Sequence, residues 1–346
     1  MTLMTKVLYN NSMKTLKSID LIIKHAKEQG HHIEHFSGKL AGKEHRYTTL
    51  ISENGKGITF SNDQFTLPSD SRVARAFFSY KHLSYELAER CEIRTLDTLC
   101  VDIDKPYNTL ELEKVLSDCG QVIVKPNDGA RGNGFTGGIS NLEALIAAIE
   151  LAKPHLRTSN MVLVQEQFFG DEARFITIDG SVKGVLLSLR PRVVGDGKCT
   201  IAQLIAKNNL ERDRINQNVM NPYPYLSQDN IPAELLDSTK VLQKGEKFFL
   251  NQSTITHNGA LVYNATETID KSYVDIVERM SKRFGRGMVC VDLFLKDPNK
   301  PADDQNYALV EMNEGMSLPM CYRCVDGNHF DIMEIFVVPL LQRILS

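Results

Sequence analysis

Two carboxylates and one amide near the end of the chain stand in segments that are otherwise apolar. Asp292 lies inside VCVDLFL, residues 289–295, and Glu311 and Asn313 lie inside ALVEMNEG, residues 308–315. Residues two apart on a strand share a face, so Glu311 and Asn313 are expected to point the same way. Apolar strands seldom bury a carboxylate without a partner. These oxygen ligands suit Mg2+ or Mn2+ bridging phosphates, and the alternative is a buried Arg or Lys beside each acid.

A glycine-rich segment in the middle of the chain has the composition of a phosphate-binding loop. VIVKPNDGARGNGF, residues 122–135, carries Lys125 at a strand end, followed by Gly129, Arg131, Gly132 and Gly134. Glycines let backbone N–H groups approach phosphate oxygens closely. The spacing is neither that of a P-loop nor that of a Rossmann fingerprint. It predicts a phosphate site of another kind, and the alternative is an ordinary flexible hairpin.

A third polar group follows the next apolar strand. In VLVQEQFFGDEARF, residues 162–175, the candidate side chains are Gln165, Glu166, Phe168, Glu172 and Arg174. A strand that turns away offers backbone groups to the edge of a purine, and a carboxylate can accept hydrogen bonds from two ribose hydroxyls. The alternative is a solvated strand end.

The elements around these groups are predicted from apolar periodicity and turn residues. Helices are expected at residues 18–29, 72–90, 110–116, 141–152, 200–207, 271–284 and 331–345. Strands are expected at 6–9, 47–52, 58–61, 121–124, 161–165, 174–178, 182–189, 288–295 and 307–312. Asn54-Gly55 indicates a hairpin. The stretch around Pro106 reads as a polar connection, and 213–240 as irregular.

The composition is that of a folded globular protein. Of the 346 residues, 42% are hydrophobic and 24% are charged, and 40 Lys and Arg oppose 43 Asp and Glu, for a net charge of -3. This balance disfavours disorder and predicts neither a nucleic-acid nor a membrane partner. No run approaches the roughly 20 apolar residues of a membrane span, and the N-terminus lacks the apolar core of a signal peptide, so a cytoplasmic protein is expected.

The seven cysteines are scattered and odd in number, which favours free thiols over a disulfide framework. Cys321 and Cys324 have CxxC spacing, but only His329 is close, so buried thiols are a better interpretation than a zinc site.

Four segments resemble the ATP-grasp superfamily, and more closely the ATP-grasp domains of cyanophycin synthetase and bifunctional glutathione synthetase, and they follow one another along the chain in the order typical of that group. Three of them are described above. The other is SRVARAFFSYKHLSYELAE, residues 71–89, which precedes them in the chain, and the resemblance runs from roughly residue 58 to residue 341. It implies that Lys81 and Lys125 contact the nucleotide and that Glu172 binds the ribose. It also implies an adenine hinge at 162–175, and it makes Asp292, Glu311 and Asn313 the metal ligands. Arg174 matches an arginine common in this subgroup.

The resemblance implies an α+β architecture, the ATP-grasp fold, in which two α/β lobes sandwich ATP after a small N-terminal α/β domain. The N-terminal domain is expected at residues 1–70, the lobe with the phosphate loop at 71–160, and the lobe with the hinge and metal site at 161–346.

Two further segments narrow the subgroup. RPRVVGDGKCTIAQLI, residues 190–205, and GEKFFLNQSTITHNG, residues 245–259, resemble segments of the same two families. The chain departs from them at Gln165, where the hinge usually has Glu, and at Leu250, where related proteins tend to have Arg. Gln165 bears on the contact with the adenine amino group and Leu250 on the identity of the substrate, while the expectation of an ATP site and a metal site is unchanged.

The resemblance implies a stand-alone carboxylate–amine ligase that forms an amide through an acylphosphate, with ATP and Mg2+ as cofactors. Arg174 and Arg190 are the candidates for binding the γ-phosphate and the acylphosphate. The partners would be a small-molecule carboxylate and an amine, either amino acids or short peptides, and a homodimer is expected. Two alternatives stay open, an ATP-grasp kinase acting on a hydroxyl and a non-catalytic nucleotide-binding protein.

Overall fold

The computed structural model describes residues 18–40, 43–51, 55, 57–61, 74–129, 132–219, 221–283, 287–314, 318–330, 338, 339 and 342. The predicted strand at 6–9, most of the predicted helix at 331–345, and Arg131 lie outside the described residues.

Helices and strands are interspersed along the described chain. The α-helices are α1 (Ser18–Glu28), α2 (Arg75–Ser79), α3 (Lys81–Glu89), α4 (Thr109–Cys119), α5 (Leu142–Ala152), α6 (Ile201–Asn216) and α7 (Lys271–Ser281). The first strands are β1 (His32–Leu40), β2 (Lys43–Ile51), β3 (Gly57–Ser61), β4 (Thr98–Asp102), β5 (Val122–Pro126), β6 (Thr136–Ile139) and β7 (Met161–Glu166). The later strands are β8 (Asp171–Ile178), β9 (Ser181–Leu189), β10 (Arg192–Val194), β11 (Lys247–Phe249), β12 (Leu261–Asn264), β13 (Met288–Leu295) and β14 (Tyr307–Asn313). Short 3-10 helices are Lys153–His155, Ala233–Leu235, Thr256–Asn258 and Leu318–Tyr322. Among these helices, none combines the length and apolar character needed to cross a bilayer.

The described strands pair antiparallel in sheets of three, two, four and five strands. The three-stranded sheet has the order β1-β2-β3, and the predicted hairpin joins β2 to β3 with Gly55 at a positive φ of 79°. Glycine adopts that conformation without the cost that a Cβ would add. The predicted hairpin is therefore confirmed, whereas the domain boundaries at 70 and 160 stay predictions.

The four-stranded sheet, of order β4-β7-β5-β6, carries the glycine-rich segment between β5 and β6. Its inward residues, among them Val122, Val124 and Val164, share a core with Leu145 and Ile149 of α5. Asn141 caps that helix, since its side chain accepts a hydrogen bond from the backbone N–H of Ala144 at 2.9 Å. The sheet and the helix thus hold both ends of the loop.

The five-stranded sheet, of order β12-β9-β8-β13-β14, positions the polar residues. Alternate residues of β8 and β13, such as Phe175 and Val291, fill a core with Tyr273 and Val277 of α7. Because side chains alternate across a strand, the residues between them point to the opposite face.

Several sequence predictions were wrong in their bounds. The helix expected at 72–90 is two helices, because Tyr80 is extended (φ -120°, ψ 107°) and the backbone N–H of Lys81 donates to the carbonyl of Asn127 instead. Helix α6 continues to Asn216, beyond the expected end at residue 207, with a capping box at Thr200. The polar connection around Pro106 contains β4, which pairs with β7.

Candidate active site

Three neighbouring strands of the five-stranded sheet place charged side chains in one row. Asp292 on β13 is the register partner of Arg174 on β8 and of Glu311 on β14. Directly paired residues lie on the same face of a sheet. Strand alternation and register therefore bring the candidate arginine together with two of the candidate metal ligands.

Arg174 and Asp292 form a bidentate ion pair. Nε of Arg174 donates to Oδ1 of Asp292 at 2.7 Å, and Nη2 donates to Oδ2 at 2.7 Å. The amide of Asn313 donates to Oδ2 of Asp292 at 3.1 Å and to Oε1 of Glu311 at 3.2 Å. Nζ of Lys81 lies 3.6 Å from Oε2 of Glu311. Each acid thus has a cationic partner, which is the arrangement that the sequence left open as the alternative to a metal site.

Burial and these cations act in opposite directions on the two carboxyl groups. Burial raises the pKa of Asp292 above its ordinary value, and Arg174 opposes that rise only in part. Burial also acts to raise the pKa of Glu311, but Lys81, Asn313 and Arg174 outweigh it, so that pKa is lowered. Glu311, whose pKa is lowered from an already acidic value, is therefore charged at neutral pH, whereas at Asp292 the Arg174 guanidinium favours the charged form against the effect of burial.

The donor set fits a divalent cation of the Mg2+ type. The carboxylates of Asp292 and Glu311 both lie within hydrogen-bond distance of one amide nitrogen, so their oxygens converge on a small volume. Mg2+ is usually held by one or two carboxylates together with waters and substrate phosphates. Within the described residues no three His, Cys, Asp or Glu side chains gather as a metal site. Asn313 and phosphate oxygens would have to complete the set, and the metal assignment stays a prediction.

The two candidate nucleotide lysines stand beside this row. Lys81, the first residue of α3, donates from Nζ to the carbonyl of Gly129 at 2.6 Å. Lys125 on β5 donates from Nζ to the hydroxyl of Tyr85 at 2.9 Å. Burial lowers the pKa of Lys125 to about 8, against an opposing attraction by Glu311. Glu311 therefore acts on both lysines, by an ion pair on one and by its field on the other.

The glycine loop depends on glycine at two of its three candidate positions. Gly132 and Gly134 have φ values of 73° and 72°, a region that other residues rarely adopt. A Cβ on Gly134 would lie 2.9 Å from Cβ of His155 and from Cγ of Pro126. A Cβ on Gly132 would lie 3.9 Å from Cδ1 of Ile255, so this side of the loop faces the segment that follows β11.

The residues that anchor the start of the loop were missed by sequence reasoning. Asn127, which is buried, accepts a hydrogen bond at Oδ1 from the backbone N–H of His82 at 3.1 Å. The carboxylate of Asp128 accepts hydrogen bonds from the backbone N–H groups of Arg157, Thr158 and Ser159. Burial acts to raise the pKa of Asp128, but these bonds outweigh it and lower the pKa. Asn and Asp just after a strand are typical turn residues, which is the signal that could have identified them.

The side chains of the candidate adenine hinge are held by the protein itself. Gln165 is buried and donates from Nε2 to the hydroxyl of Thr98 at 2.7 Å. Glu166 accepts hydrogen bonds from Nη2 of Arg94 at 3.1 Å on both carboxylate oxygens. Phe168, also buried, lies against two cations, with Cζ of Arg94 at 5.1 Å and Nζ of Lys296 at 5.0 Å from the ring centre. The side chains of Gln165 and Glu166 therefore hold the hinge in place, and the backbone N–H groups of Glu166 and Gln167 are also bonded within the protein, to the carbonyls of Asp97 and Gln121.

Glu172 connects the charged row to the segment after β11. Its Oε2 accepts a hydrogen bond from the hydroxyl of Thr254 at 2.6 Å, and its Oε1 lies 3.8 Å from Nη2 of Arg174. Burial, with a smaller contribution from Asp292, raises the pKa of Glu172 to about 7. Thr254 was also missed, although it lies in the segment 245–259 that resembles the two families, because that resemblance did not single out its hydroxyl.

Arg190 belongs to a separate cluster. Its guanidinium pairs with Asp171 at 3.3 Å, donates to Oε1 of Gln252 at 2.6 Å and lies 4.1 Å from the ring centre of Phe249. Arg192 pairs with the other oxygen of Asp171 at 2.9 Å. None of these contacts, all among described residues, joins Arg190 to the metal-ligand candidates. Leu250 is buried in the core beside β10.

The chain has relatives among curated proteins, although no family model matches it. Cyanophycin synthetase of Synechocystis sp. is 27% identical over 275 residues, which are 75% of this chain and 30% of that protein. The glutathione biosynthesis bifunctional protein GshAB of Streptococcus thermophilus is 29% identical over 220 residues, which are 60% of this chain and 28% of that protein. The chain spans less than a third of the length of these relatives.

A solved structure shares the fold over almost the whole chain. A bifunctional glutathione synthetase from Pasteurella multocida matches with a TM-score of 0.56 and 18% identity, covering 97% of this chain and 45% of that one. The predicted ATP-grasp fold is thereby confirmed, while the separate N-terminal domain stays a prediction. The chain is similar in sequence to cyanophycin synthetase and to the bifunctional protein GshAB, and it shares the fold of a bifunctional glutathione synthetase, the ATP-grasp fold.

Proposed function

We propose that the protein is an ATP-dependent carboxylate–amine ligase that joins two amino acids or short peptides and releases ADP and phosphate. The observation that carries this proposal is the row Arg174–Asp292–Glu311, with Lys81 and Lys125 beside it, in a chain whose relatives include cyanophycin synthetase and a bifunctional protein of glutathione biosynthesis. Such a ligase has to bring two anions together, a carboxylate and a triphosphate, and the row supplies cations and metal ligands at one place.

The lysines and the glycine loop would bind the triphosphate. The ammonium groups of Lys81 and Lys125 would contact phosphate oxygens, and backbone N–H groups between Gly129 and Gly134 would donate to them and exclude water. Glu172 would accept hydrogen bonds from the ribose hydroxyls once it is deprotonated. The hinge backbone near Phe168 would meet the adenine.

Asp292, Glu311 and Asn313 would hold Mg2+ or Mn2+, which would neutralise phosphate charge when bound. In the reaction, a carboxylate oxygen bonds to the γ-phosphorus while the bond from that phosphorus to the β–γ bridging oxygen breaks, and ADP leaves. The amine then bonds to the acyl carbon, phosphate leaves, and the amine loses a proton. Arg174, bidentate and adjacent to the metal ligands, is better placed than Arg190 to bind the transferred group.

Cytoplasmic location and a homodimer remain predictions. The kinase alternative would use the same nucleotide site and differs only in its acceptor, a hydroxyl in place of the carboxylate. The two reactions give different products, so product mass separates them.

The test is ATP- and Mg2+-dependent phosphate release with pooled amino acids and dipeptides, followed by mass detection of products. A product whose mass is the sum of two inputs less one water supports the ligase. A mass increased by one phosphoryl group with no free phosphate would instead establish the kinase. Glu311→Ala, checked for folding by circular dichroism, should abolish turnover, and near-normal turnover would contradict the metal assignment.

A further inference from the structure

A buried tyrosine, Tyr85, links one of the candidate nucleotide lysines to the strand that carries Glu311. Tyr85 lies on α3 and is 4% exposed. Its hydroxyl donates to the carbonyl of Val310 at 2.7 Å, and it accepts a hydrogen bond from Nζ of Lys125 at 2.9 Å. A carbonyl can only accept and an ammonium can only donate, so both roles of the hydroxyl are fixed.

The tyrosine restrains a side chain that would otherwise be free to rotate. A lysine ammonium sits on a flexible four-carbon stem and gains little direction from charge alone. Nζ of Lys125 lies 2.9 Å from the hydroxyl oxygen and 5.6 Å from the centre of the Tyr85 ring, so it lies beyond the hydroxyl at the ring edge and not over the ring face. The hydroxyl is therefore the group of Tyr85 that acts on the ammonium.

Helix α3 positions both lysines relative to strand β14, which carries Glu311. Lys81 and Tyr85 are four residues apart and so lie on one face of the helix. Lys81 reaches the carbonyl of Gly129 and the carboxylate of Glu311, while Tyr85 reaches Lys125 and the residue before Glu311. One turn of α3 thus sets the distance between two cations and the candidate metal site.

We propose that Tyr85 is a positioning residue for ATP binding: its hydroxyl holds the ammonium of Lys125 at the nucleotide site by tying it to strand β14. The inference rests on the proposed function, since it assigns a new residue to the same site.

The experiment is a double-mutant cycle on ATP affinity. Kd for ATP with Mg2+ is measured by calorimetry for the unmodified protein, Tyr85→Phe, Lys125→Met and the double variant. Because Tyr85→Phe removes a hydrogen bond to a charged group, we expect it to weaken ATP binding about tenfold. Lys125→Met should lose more, and adding Tyr85→Phe to it should change Kd less than about twofold, because the partner is already gone.

The control is Tyr107→Phe, which also removes a tyrosine hydroxyl bonded to a charged residue, Glu150, at 2.5 Å. It should leave the ATP Kd unchanged. In turnover assays Tyr85→Phe should raise KM for ATP while KM for the other substrates stays constant, and thermal melting confirms that each variant is folded.

The outcomes separate this inference from the proposed function. Equal losses for Tyr85→Phe with and without Lys125 would mean a structural role and overturn the inference, as would an unchanged Kd in Tyr85→Phe. In both cases the unmodified protein still binds ATP, so the proposed function survives. No ATP binding by the unmodified protein would overturn both.

Discussion

The ion pair between Arg174 and Asp292 predicts competition between the arginine and a divalent cation. A metal that binds Asp292 competes with the guanidinium for the two carboxylate oxygens, each of which the guanidinium holds at 2.7 Å. We therefore expect Arg174→Gln to bind Mn2+ more tightly than the unmodified protein when no nucleotide is present. Gln keeps a polar side chain of similar reach and removes the charge.

The size of the effect follows from the charges. Two unit charges about 4 Å apart attract by about 4 kcal/mol at an effective dielectric constant of about 20. The displaced arginine keeps part of this attraction, because Oε1 of Glu172 lies 3.8 Å from its Nη2. If about half is lost, the competition costs about 2 kcal/mol, which corresponds to a roughly thirtyfold change in Kd. Without Arg174 the pKa of Asp292 rises further, so the gain should increase with pH.

Free Mn2+ measured by electron paramagnetic resonance gives the Kd directly and does not require turnover. Arg192→Gln is a matched control, because the Arg192 side chain is 18% exposed and pairs with a buried aspartate, Asp171, much as the 19% exposed Arg174 pairs with Asp292. That variant should leave Mn2+ affinity unchanged. Equal Mn2+ affinity in Arg174→Gln and the unmodified protein would refute the competition, and an equal gain in both variants would show a nonspecific charge effect.

Two further predictions concern Glu172 and Gly134. The pKa of the Glu172 carboxyl is about 7 in the folded protein, against an ordinary value of 4.5, so the folded state binds a proton that the unfolded state has already lost between these pH values. The bound proton contributes at most about 3 kcal/mol to the free energy of unfolding, and this contribution is lost as the pH rises from 4.5 through 7. Urea unfolding at several pH values gives the slope of the unfolding free energy against pH. This slope should be smaller in Glu172→Gln, and an unchanged slope would contradict the raised pKa of Glu172. Gly134→Ala should weaken ATP binding and destabilise the protein by about 1–3 kcal/mol, whereas Gly138→Ala, with a similar φ of 73° and no atom within 4 Å of its Cβ, should leave ATP binding unchanged. Equal ATP affinities for the two variants would contradict the role given to the Gly134 contact.

Four of the five strands of the five-stranded sheet, β8, β9, β13 and β14, were predictable because each is an apolar run in the sequence, whereas β12 was not predicted. Apolar runs at β13 and β14 and the turn Asp179-Gly180 between β8 and β9 appear in the sequence much as they appear in the fold. Asp179 and Gly180 both have positive φ, as such a turn requires. The polar residues inside those runs were visible for the same reason, since they interrupt an otherwise apolar pattern.

Features that depend on contacts distant in sequence could not be predicted this way. The break at Tyr80 follows from docking of Lys81 onto Asn127, and β4 is a strand because β7 pairs with it. Thr254 lies 82 residues from Glu172, whose carboxylate it binds. The cationic partners of the acids were considered only as an alternative, because register between β8 and β13 decides that Arg174 meets Asp292.

The balance of charge in the site argues that metal and nucleotide bind together. The acids Asp292, Glu311 and Glu172 are opposed by the cations Arg174, Lys81 and Lys125, and the contacts join acid to cation in the described row. A metal alone competes with Arg174 for Asp292 and leaves the arginine only its longer contact with Glu172, and a triphosphate alone must attract cations that are already paired. When metal and triphosphate bind together, the metal binds the carboxylates and the phosphates bind the cations that the carboxylates release. We therefore expect ATP to raise Mn2+ affinity and Mn2+ to raise ATP affinity by the same factor, as linkage requires.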